Sequence, residues 1–348
     1  MSENITRVAV VGLGMAAAPH IKSLRELSER VQIAAVWSPS ESRRLQAKRD
    51  FDVPVAENLE QILNDRTIPI VILLTPPMTH LELVESCVKH GKHVLLEKPL
   101  DVTLARAHRI VNMMHDADLL LGVVLQHRFR IASQRLHEMV HSGTLGAIFS
   151  ASVSVRWWRT AQYYAEPGRG MKARDGGGVL MTQAIHTLDL FLSLTGPVRE
   201  VFACAATSPA RKIDTEDLVA AAIRFQNGAV GSLDATTLAY PGFPERIELA
   251  CEAGTAVLSG EKLDVYFKDG QHLCVDETEE IRDAADPMSF SHHAHKALIA
   301  DFVDAVQNQR TPRASGASAL MVHALIEALL ASSSARKPVA PTHSENER

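Results

Sequence analysis

The sequence predicts an α/β protein in two parts: an N-terminal doubly wound parallel sheet, then an α/β domain with an open, largely antiparallel sheet. Three observations lead to this fold class. A glycine-rich turn joins an apolar β-rich segment to a helical one near the N-terminus. Short apolar segments then alternate with helical ones through the first third of the chain, as parallel sheets require. Beyond residue 126, segments that alternate apolar and polar residues predominate, which is typical of antiparallel strands with one solvated face.

Length and composition indicate a globular protein of two domains. The chain has 348 residues, and domains contain roughly 150 residues each, so we expect domains over 1–125 and 126–340. Charged residues make up 22% and the net charge is −5. Because no basic stripe is present, nucleic acid is not an expected partner.

The cysteine pattern is typical of a reducing compartment. Cys87, Cys204, Cys251 and Cys274 are scattered, without a C-x-x-C pair or zinc-like spacing. A histidine cluster at 292–295 lacks carboxylates at ligand spacing, so we expect no metal site. No targeting segment is recognisable, and no run approaches the ~18 apolar residues of a membrane span. We therefore expect a cytoplasmic protein without a membrane partner.

The first motif is the glycine-rich turn. Arg7 to Val11 is a short apolar strand, and Gly12-Leu13-Gly14-Met15-Ala16-Ala17 leads into a helix that extends to about Glu29. The first glycine permits a tight turn, the second lets a pyrophosphate approach the backbone, and the small Ala17 allows the helix to pack on the strand. The helix N-terminus favours an anion. We expect a dinucleotide to contact Gly12, Gly14, Met15 and Ala17.

The second strand, Val31 to Trp37, bears on the choice of dinucleotide. NAD sites commonly have an acidic residue at this strand end to bond the ribose 2′-hydroxyl. Here the strand is followed by Ser38, with Arg43 and Arg44 a few residues later. Ser38 with Arg43 or Arg44 could bind the 2′-phosphate of NADP, but arginine pairs of this kind are more commonly solvated helix residues. The sequence leaves NAD and NADP open.

A proline-rich loop follows the third strand. Helical segments near Glu41 to Asp50 and Leu59 to Leu63 precede a continuous apolar strand, Ile68 to Leu74. Ligands of parallel sheets bind at the carboxyl ends of strands. We therefore expect Thr75, Pro76, Pro77 and His80 to contribute to the cofactor site, and Thr79 to cap a helix that extends to His90.

The fourth strand, His93 to Leu96, ends in Glu97-Lys98-Pro99. A lysine at a strand end beside a cofactor cleft is a candidate for a tuned catalytic group, although a surface lysine is the simpler reading. A helix from Val102 to about His115 and a strand from Leu119 to Leu125 complete the alternating series.

The second domain opens with polar and aromatic residues. Arg128 precedes a helix that extends to about His141, and Ala147 to Arg156 alternates as a strand. The next segment concentrates tryptophan, tyrosine and arginine, which suits a sugar or a flat polar ligand. A dimer seam or a lid anchor is an alternative. The substrate-binding candidates here are Arg128, Trp157, Arg159, Tyr163 and Tyr164.

A glycine-led helix carries the strongest polar pattern of the second domain. Gly176 to Gly178 precede a helical segment in which Thr182, His186 and Asp189 fall at i, i+4 and i+7, on one helix face. Such a face can hold polar groups against a small ligand. A buried, hydrogen-bonded histidine is the alternative reading.

Further strands predict the open sheet, at Val198 to Ala206, Asp217 to Phe225, Ala229 to Ala239, Arg246 to Cys251 and Ala256 to Phe267. Asn227-Gly228 predicts a hairpin between two of them. Helices at about His295 to Asn308 and Ser315 to Ser333 close the fold. The exposed face of such a sheet needs cover, which predicts a homo-oligomer.

Four motifs in order resemble the glucose–fructose oxidoreductase / inositol dehydrogenase / MocA family. They are Gly12-x-Gly14-x-x-Ala17, Thr75-Pro76-Pro77-x-x-His80, Glu97-Lys98-Pro99, and Gly177-Gly178 leading to His186. The resemblance covers nearly the whole chain. It implies an N-terminal Rossmann domain that binds NAD or NADP and a C-terminal domain that binds substrate. It also implies a homodimer or homotetramer formed through the C-terminal sheet.

The resemblance further implies that Lys98 and His186 line the nicotinamide site. Many members have an aspartate four residues before the histidine, where this chain has Thr182, followed by Gln183. A hydroxyl is too weak an acid to transfer protons near neutral pH, so Thr182 and Gln183 would orient substrate hydroxyls. Glu97, in the same motif as Lys98, would contribute to cofactor binding.

The expected activity is hydride transfer between nicotinamide and a carbinol carbon of a sugar, with an aldose as first candidate, or of a related polyol. His186 has an ordinary pKa of about 6.5 and suits a base. Lys98 would need its pKa lowered by roughly 3 units to do the same near pH 7.5. We favour His186 as base and Lys98 as hydroxyl donor, with the reverse open. The alternatives are a cofactor-binding regulator and an NAD-dependent glycoside hydrolase.

Overall fold

The computed structural model describes residues 5–276 and 291–342, and the chain divides into two compact units. Among the described residues, the first unit extends to Gln126 and includes Ser291–Leu320, and the second comprises the rest. The sequence places residues 291–320 in the second domain. They belong to the first unit instead, because helix α10 (His293–Gln307) packs against helix α1 (Ala17–Glu26).

The first unit is built on five parallel strands. They are β1 (Thr6–Val11), β2 (Val31–Trp37), β3 (Ile70–Leu73), β4 (His93–Leu96) and β5 (Leu121–Val123). Their order in the sheet is β2-β1-β3-β4-β5. Every residue of β3 is buried, which explains its continuous apolar sequence. The predicted parallel series is confirmed, although β3 and β5 are shorter than predicted.

The strand order reverses between β1 and β3, and this position defines the ligand crevice. In doubly wound sheets, ligands bind at the carboxyl ends of the strands where the order reverses. The end of β1 carries Gly12 and the end of β3 carries Thr75. A Cβ atom on Gly12 would lie 2.6 Å from the backbone carbonyl carbon of Leu74. The glycine turn and the proline loop are therefore in direct contact.

The helices of the first unit follow the predicted positions to within a few residues. Besides α1 and α10 they are α2 (Glu41–Phe51), α3 (Leu59–Asn64), α4 (His80–Lys89) and α5 (Leu104–Asp116). The prediction that Thr79 caps α4 is wrong. Thr79 occupies the N-cap position, but its hydroxyl donates to Pro76 O at 2.8 Å and contacts Thr75 Oγ1 at 3.0 Å. The Thr79 side chain therefore stabilises the turn that precedes α4 and does not accept a hydrogen bond from an amide of the helix.

The second unit contains an eight-stranded sheet. Its strands are β6 (Ile148–Arg156), β7 (Val198–Ala206), β8 (Leu218–Phe225), β9 (Val230–Thr236), β10 (Arg246–Cys251), β11 (Gly254–Ser259), β12 (Lys262–Phe267) and β13 (His272–Asp276). The order is β13-β12-β11-β10-β6-β9-β8-β7, antiparallel except for the parallel pair of β6 and β9. The predicted open, largely antiparallel sheet is confirmed, and β13 is an additional strand. Asn227-Gly228 forms the predicted hairpin between β8 and β9, with Gly228 at φ +90°.

Helices cover one face of this sheet. The second unit contains α6 (Ile131–His141), the short helices α7 (Ala161–Tyr164) and α8 (Lys172–Asp175), and α9 (Ile185–Thr195). Helix α9 packs on β6, and α6 packs on β11 and β12. Among the described residues, helix α11 (Gly316–Ala335) is long and apolar enough to cross a membrane by length and composition alone. Of its most apolar window, 56% is buried inside the protein, as in a core helix.

Candidate active site

The glycine turn after β1 has the geometry of a pyrophosphate cradle. Gly12 adopts φ +106°, a conformation that side chains disfavour. At Gly14 no atom lies within 4 Å of a Cβ position, so the backbone there is open to a ligand. Ala17 is buried at the start of α1, and Met15 is 60% exposed at the turn. These features fit a dinucleotide whose pyrophosphate approaches the backbone at Gly14.

The proline loop after β3 is fixed by His80. The imidazole is fully buried, with Nδ1 3.1 Å from both Pro99 O and Leu100 O. Its Nε2 lies 2.9 Å from Thr75 O. Both nitrogens are thus engaged with backbone carbonyls, and burial lowers the pKa of His80. His80 therefore joins the loops that carry Thr75 and Pro99, and its contribution to the cofactor site stays a prediction.

Within that loop, Thr75 and Pro77 are half-buried and Pro76 is exposed. They stand beside the glycine turn, at the carboxyl end of β3. This placement agrees with their predicted position in the cofactor crevice.

Lys98 follows β4 and is half-buried at the same sheet edge. Its backbone amide donates to Glu97 Oε2 at 2.7 Å. The other Glu97 oxygen lies 3.7 Å from Nε2 of the fully buried His20, on α1. Burial acts to raise the pKa of Glu97, but His20 and the charges of Lys98 and His295 hold it below its ordinary value. The Glu97 carboxylate is therefore engaged within the protein and stabilises the turn that presents Lys98. Its contribution to cofactor binding stays a prediction.

The two arginines that follow β2 differ in their surroundings. Ser38 is buried, and Nη1 of Arg44 donates to Ser38 O at 2.6 Å. Ser40 caps α2 by accepting from the Arg43 amide, while the Arg43 side chain is exposed. Arg44 thus fixes the strand end, and Arg43 is the group presented to solvent.

In the second unit, Glu216 organises the glycine-led helix. Its carboxylate accepts from the amides of Gly178 and Leu180, each at 3.1 Å, and its carbonyl accepts from Val179 N at 2.8 Å. One residue thus satisfies three amides at the helix start. A Cβ atom on Gly178 would collide with the Glu216 carbonyl oxygen, so the glycine is required by close approach.

This helix does not have uniform α-helical spacing. Residues Leu180–Ala184 form a π-helical turn before α9 begins at Ile185. The predicted i, i+4 and i+7 spacing of Thr182, His186 and Asp189 therefore starts inside a π turn, which contains an extra residue, and continues into α9. Their common helix face stays a prediction. π turns occur frequently at functional sites.

The π turn presents Thr182 and Gln183 to the aromatic segment. The Thr182 hydroxyl lies 2.7 Å from Gly178 O and also contacts Gln183 Oε1. Gln183 Nε2 donates to the Tyr163 hydroxyl at 3.1 Å. These three side chains form one hydrogen-bonded group of hydroxyls and an amide, which suits recognition of sugar hydroxyls.

His186 lies in the first turn of α9, 8% exposed. Its ring centroid is 5.1 Å from that of His127, and the two planes are inclined by 32°. Three residues later, the fully buried Asp189 binds Arg128 through both carboxylate oxygens. The Arg128 guanidinium thus attaches α9 to the residues that precede α6, and its predicted contact with substrate stays a prediction.

Glu245 connects several polar groups near His127. It pairs with Arg130, accepts a hydrogen bond from Trp157, and its Oε1 lies 3.8 Å from His127 Nδ1. Burial acts to raise the pKa of Glu245, but the Arg130 guanidinium lowers it below its ordinary value. The carboxylate is therefore ionised, and Trp157 is held at its edge while its ring remains half-buried.

Two of the predicted substrate-binding residues have partners within the protein. Arg159 is 8% exposed and stacks on the rings of Trp157 and Tyr163, 5.0 and 5.6 Å from their centroids. The Tyr164 hydroxyl contacts Thr237 Oγ1 at 3.1 Å and accepts from Arg211 at 3.2 Å. Arg159 and the Tyr164 hydroxyl are thus engaged inside the protein. All the substrate contacts predicted in this unit stay predictions: Arg128, Trp157, Arg159, Tyr163, Tyr164, Thr182, Gln183 and His186.

Sequence reasoning missed His127, Glu216 and Glu245. His127 lies four residues after the end of β5, the last strand of the parallel series, a position that could have identified it. Glu216 and Glu245 carry no local signal, because their partners lie far away in the chain.

The chain is similar to known oxidoreductases. The model of an oxidoreductase family with an NAD-binding Rossmann fold (GFO/IDH/MocA) matches residues 6–125, and that of the GFO/IDH/MocA C-terminal domain matches residues 133–257. The chain is 29% identical to myo-inositol 2-dehydrogenase of Thermotoga maritima over 251 residues, 70% of this chain and 72% of that protein. It is 28% identical to the NADP(+)-dependent scyllo-inositol 2-dehydrogenase of Bacillus subtilis over 57% of this chain and 54% of that one.

A solved structure is similar along the full length. It is the WlbA dehydrogenase of Bordetella pertussis in complex with NADH and UDP-GlcNAcA. The TM-score is 0.86 and the identity 26%, over 99% of this chain and 100% of that chain. The relatives are therefore NAD(P)-dependent dehydrogenases of sugars and polyols.

Proposed function

Because this chain belongs to the GFO/IDH/MocA family of oxidoreductases, we propose that it transfers a hydride between NAD or NADP and a carbinol carbon of a sugar or related polyol. The observation that carries the proposal is Lys98 at the carboxyl end of β4, in the same sheet as the open glycine turn at Gly14. The first unit binds the cofactor in this proposal, and the second recognises the substrate.

His186 and Lys98 carry the proton chemistry. Oxidation of a carbinol requires loss of the hydroxyl proton, and His186 accepts it because an imidazole titrates near neutral pH. Lys98 donates a hydrogen bond to the same oxygen and stabilises the developing negative charge. When bound, the nicotinamide supplies the hydride acceptor. Thr182 takes no part in proton transfer and, with Gln183 and Tyr163, orients the other hydroxyls.

The charges near this group support an uncharged sugar or polyol as substrate. Arg169 and Arg174 both pair with Glu166. Arg211 lies 3.6 Å from Asp217 and is itself buried. These cations are compensated by carboxylates of the same unit, so a diphosphate would have to displace existing ion pairs. An aldose oxidised at the anomeric carbon is the first candidate.

The test is nicotinamide absorbance at neutral pH with NAD or NADP and a panel of aldoses, inositols and a UDP-sugar. Reduction of one cofactor by one aldose or inositol supports the proposal, and turnover of the UDP-sugar alone contradicts the substrate class. Tight cofactor binding without any turnover would point to a regulator. Release of an aglycone from a chromogenic glycoside without net reduction would point to a hydrolase.

We also propose a cytoplasmic homodimer or homotetramer formed through the exposed face of the eight-stranded sheet. Strand register places one row of outward side chains across this face: Phe202, Ala222, Ser232, Ser152, Glu248, Val257, Asp264 and Cys274. Short side chains in the centre of the row permit close approach of a second sheet. Light scattering of the full chain and of Ser232→Arg tests this. A wild-type monomer, or an unchanged oligomer in the variant, contradicts it.

A further inference from the structure

His186 has a second imidazole beside it, within the same unit. The His127 and His186 ring centroids are 5.1 Å apart, and both side chains are more than nine-tenths buried. Nδ1 of His127 also lies 3.4 Å from the Thr187 hydroxyl. Two imidazoles at this separation repel each other strongly when both are positive, because little water screens the charges. They therefore titrate as a coupled pair.

The surrounding charges distinguish the two rings. Glu245 Oε1 faces His127 Nδ1 at 3.8 Å. The Arg130 guanidinium pairs with Glu245 and also lies 3.6 Å from Glu261 Oε1. Because two carboxylates share this one cation, Glu245 keeps part of its negative charge for His127. On the α9 side, the Asp189 carboxylate is bound at both oxygens by Arg128. A positive charge is therefore favoured on His127 rather than on His186.

We propose that His127 is a positioning residue that keeps His186 neutral. The first proton that the pair takes up binds His127, beside Glu245, and its positive charge disfavours protonation of His186. A neutral His186 can accept the substrate hydroxyl proton at a pH below the value of about 6.5 at which a lone imidazole becomes charged. The inference rests on the proposed function, in which His186 is the base. It adds a residue that does not touch the reacting atoms.

The first test is the pH dependence of kcat/KM for wild type and His127→Asn. In the variant the first proton must bind His186, so the acid limb moves upward by about one pH unit. Activity falls roughly threefold at pH 6, approaches a tenfold loss at lower pH, and stays within about twofold at pH 8.5. His127→Gln is the second variant. His141→Asn, in a stacked pair with His137 on α6, is the matched control and should leave the limb in place. An unmoved limb in folded His127→Asn and His127→Gln overturns the proposal.

A second readout does not need turnover. Histidine-labelled full chain is titrated by NMR, with and without NAD, and the two signals are assigned by their loss in His127→Asn and His186→Asn. The His127 signal should titrate first and the His186 signal at least about one pH unit lower. Equal midpoints, or His186 first, overturn the proposal even if the variants are unstable. Absence of wild-type turnover refutes the proposed function. In that case the order in which the two histidine signals titrate still tests whether His127 takes the first proton.

Discussion

The Arg128 guanidinium binds the Asp189 carboxylate at two points, Nε to Oδ2 at 2.5 Å and Nη2 to Oδ1 at 2.6 Å. The Asp189 side chain is 1% exposed and that of Arg128 16%. This pair attaches α9, which carries His186, to the residues that precede α6. Arg128 therefore fixes the position of the helix that carries the proposed base.

Asp189→Asn should destabilise the second unit by about 3–5 kcal/mol, because it leaves a largely buried guanidinium without its carboxylate. Urea unfolding measures the change. Glu138→Gln, which removes the exposed pair with Arg135, is the control and should cost no more than about 0.5 kcal/mol. The double variant Arg128→Met/Asp189→Leu should recover much of the loss, since no charge stays buried. A cost below about 1 kcal/mol for Asp189→Asn would contradict this account.

Lys98→Met and His186→Ala should each lower kcat by about 10²- to 10⁴-fold, the usual contribution of a positioned proton donor or acceptor. Cofactor affinity, measured by titration calorimetry, should change little. Lys89→Met, at an exposed pair with Glu85, is the matched lysine control. If His186 is the base, His186→Ala abolishes the acid limb of the pH profile. Loss of that limb in Lys98→Met instead would assign the base to the lysine.

Gly12→Ala and Gly14→Ala should separate folding from cofactor binding. The first forces a side chain into φ +106° and to 2.6 Å from the Leu74 carbonyl, so both stability and binding should fall. The second meets no atom within 4 Å and should fold normally, yet its Cβ occupies the approach of the pyrophosphate. We expect Gly14→Ala to weaken NAD binding at least about tenfold with an unchanged thermal midpoint. Normal affinity in Gly14→Ala would place the pyrophosphate elsewhere.

Arg43→Ala should weaken NADP binding about tenfold and leave NAD binding unchanged, because the exposed Arg43 side chain is presented beside the β2 end. Arg44 is already engaged with Ser38 O. Fluorescence titration with both cofactors measures the change. Arg49→Ala, at the far end of α2, is the control. An equal effect on the affinities for the two cofactors would show that Arg43 does not contact the 2′-phosphate of the adenosine ribose.

Glu97 should make the first unit sensitive to acid. Its folded pKa lies below the value of the unfolded chain, against the effect of burial, because of His20 and the charges of Lys98 and His295. In acid the unfolded chain therefore binds more protons, and stability present above pH ~4.5 is lost as the pH falls through the folded pKa. Urea midpoints between pH 6 and 3 should fall less steeply in Glu97→Gln than in wild type. Glu60→Gln, on α3, is the control, and parallel curves for Glu97→Gln and wild type would disprove the role.

The sequence by itself determined the fold class, the strand series and the motifs. Periodic apolar residues and glycines act locally: a buried parallel strand must be apolar throughout, and the turn after β1 needs a residue that tolerates φ +106°. A segment of about ten residues is therefore enough to recognise such constraints. For that reason Gly12, the alternating strands and the Asn227-Gly228 hairpin were all predicted at or close to their places.

The tertiary structure alone decided which polar groups are available to a ligand. His80 is engaged by the carbonyls of Thr75, Pro99 and Leu100, and Arg128 by Asp189, 61 positions away. The same holds for the helix cap at Glu216 and for the pairing of His127 with His186. A side chain's partner depends on how distant segments pack, and local patterns carry no record of that packing. The sequence therefore located the residues that carry chemistry, and only packing assigned their roles.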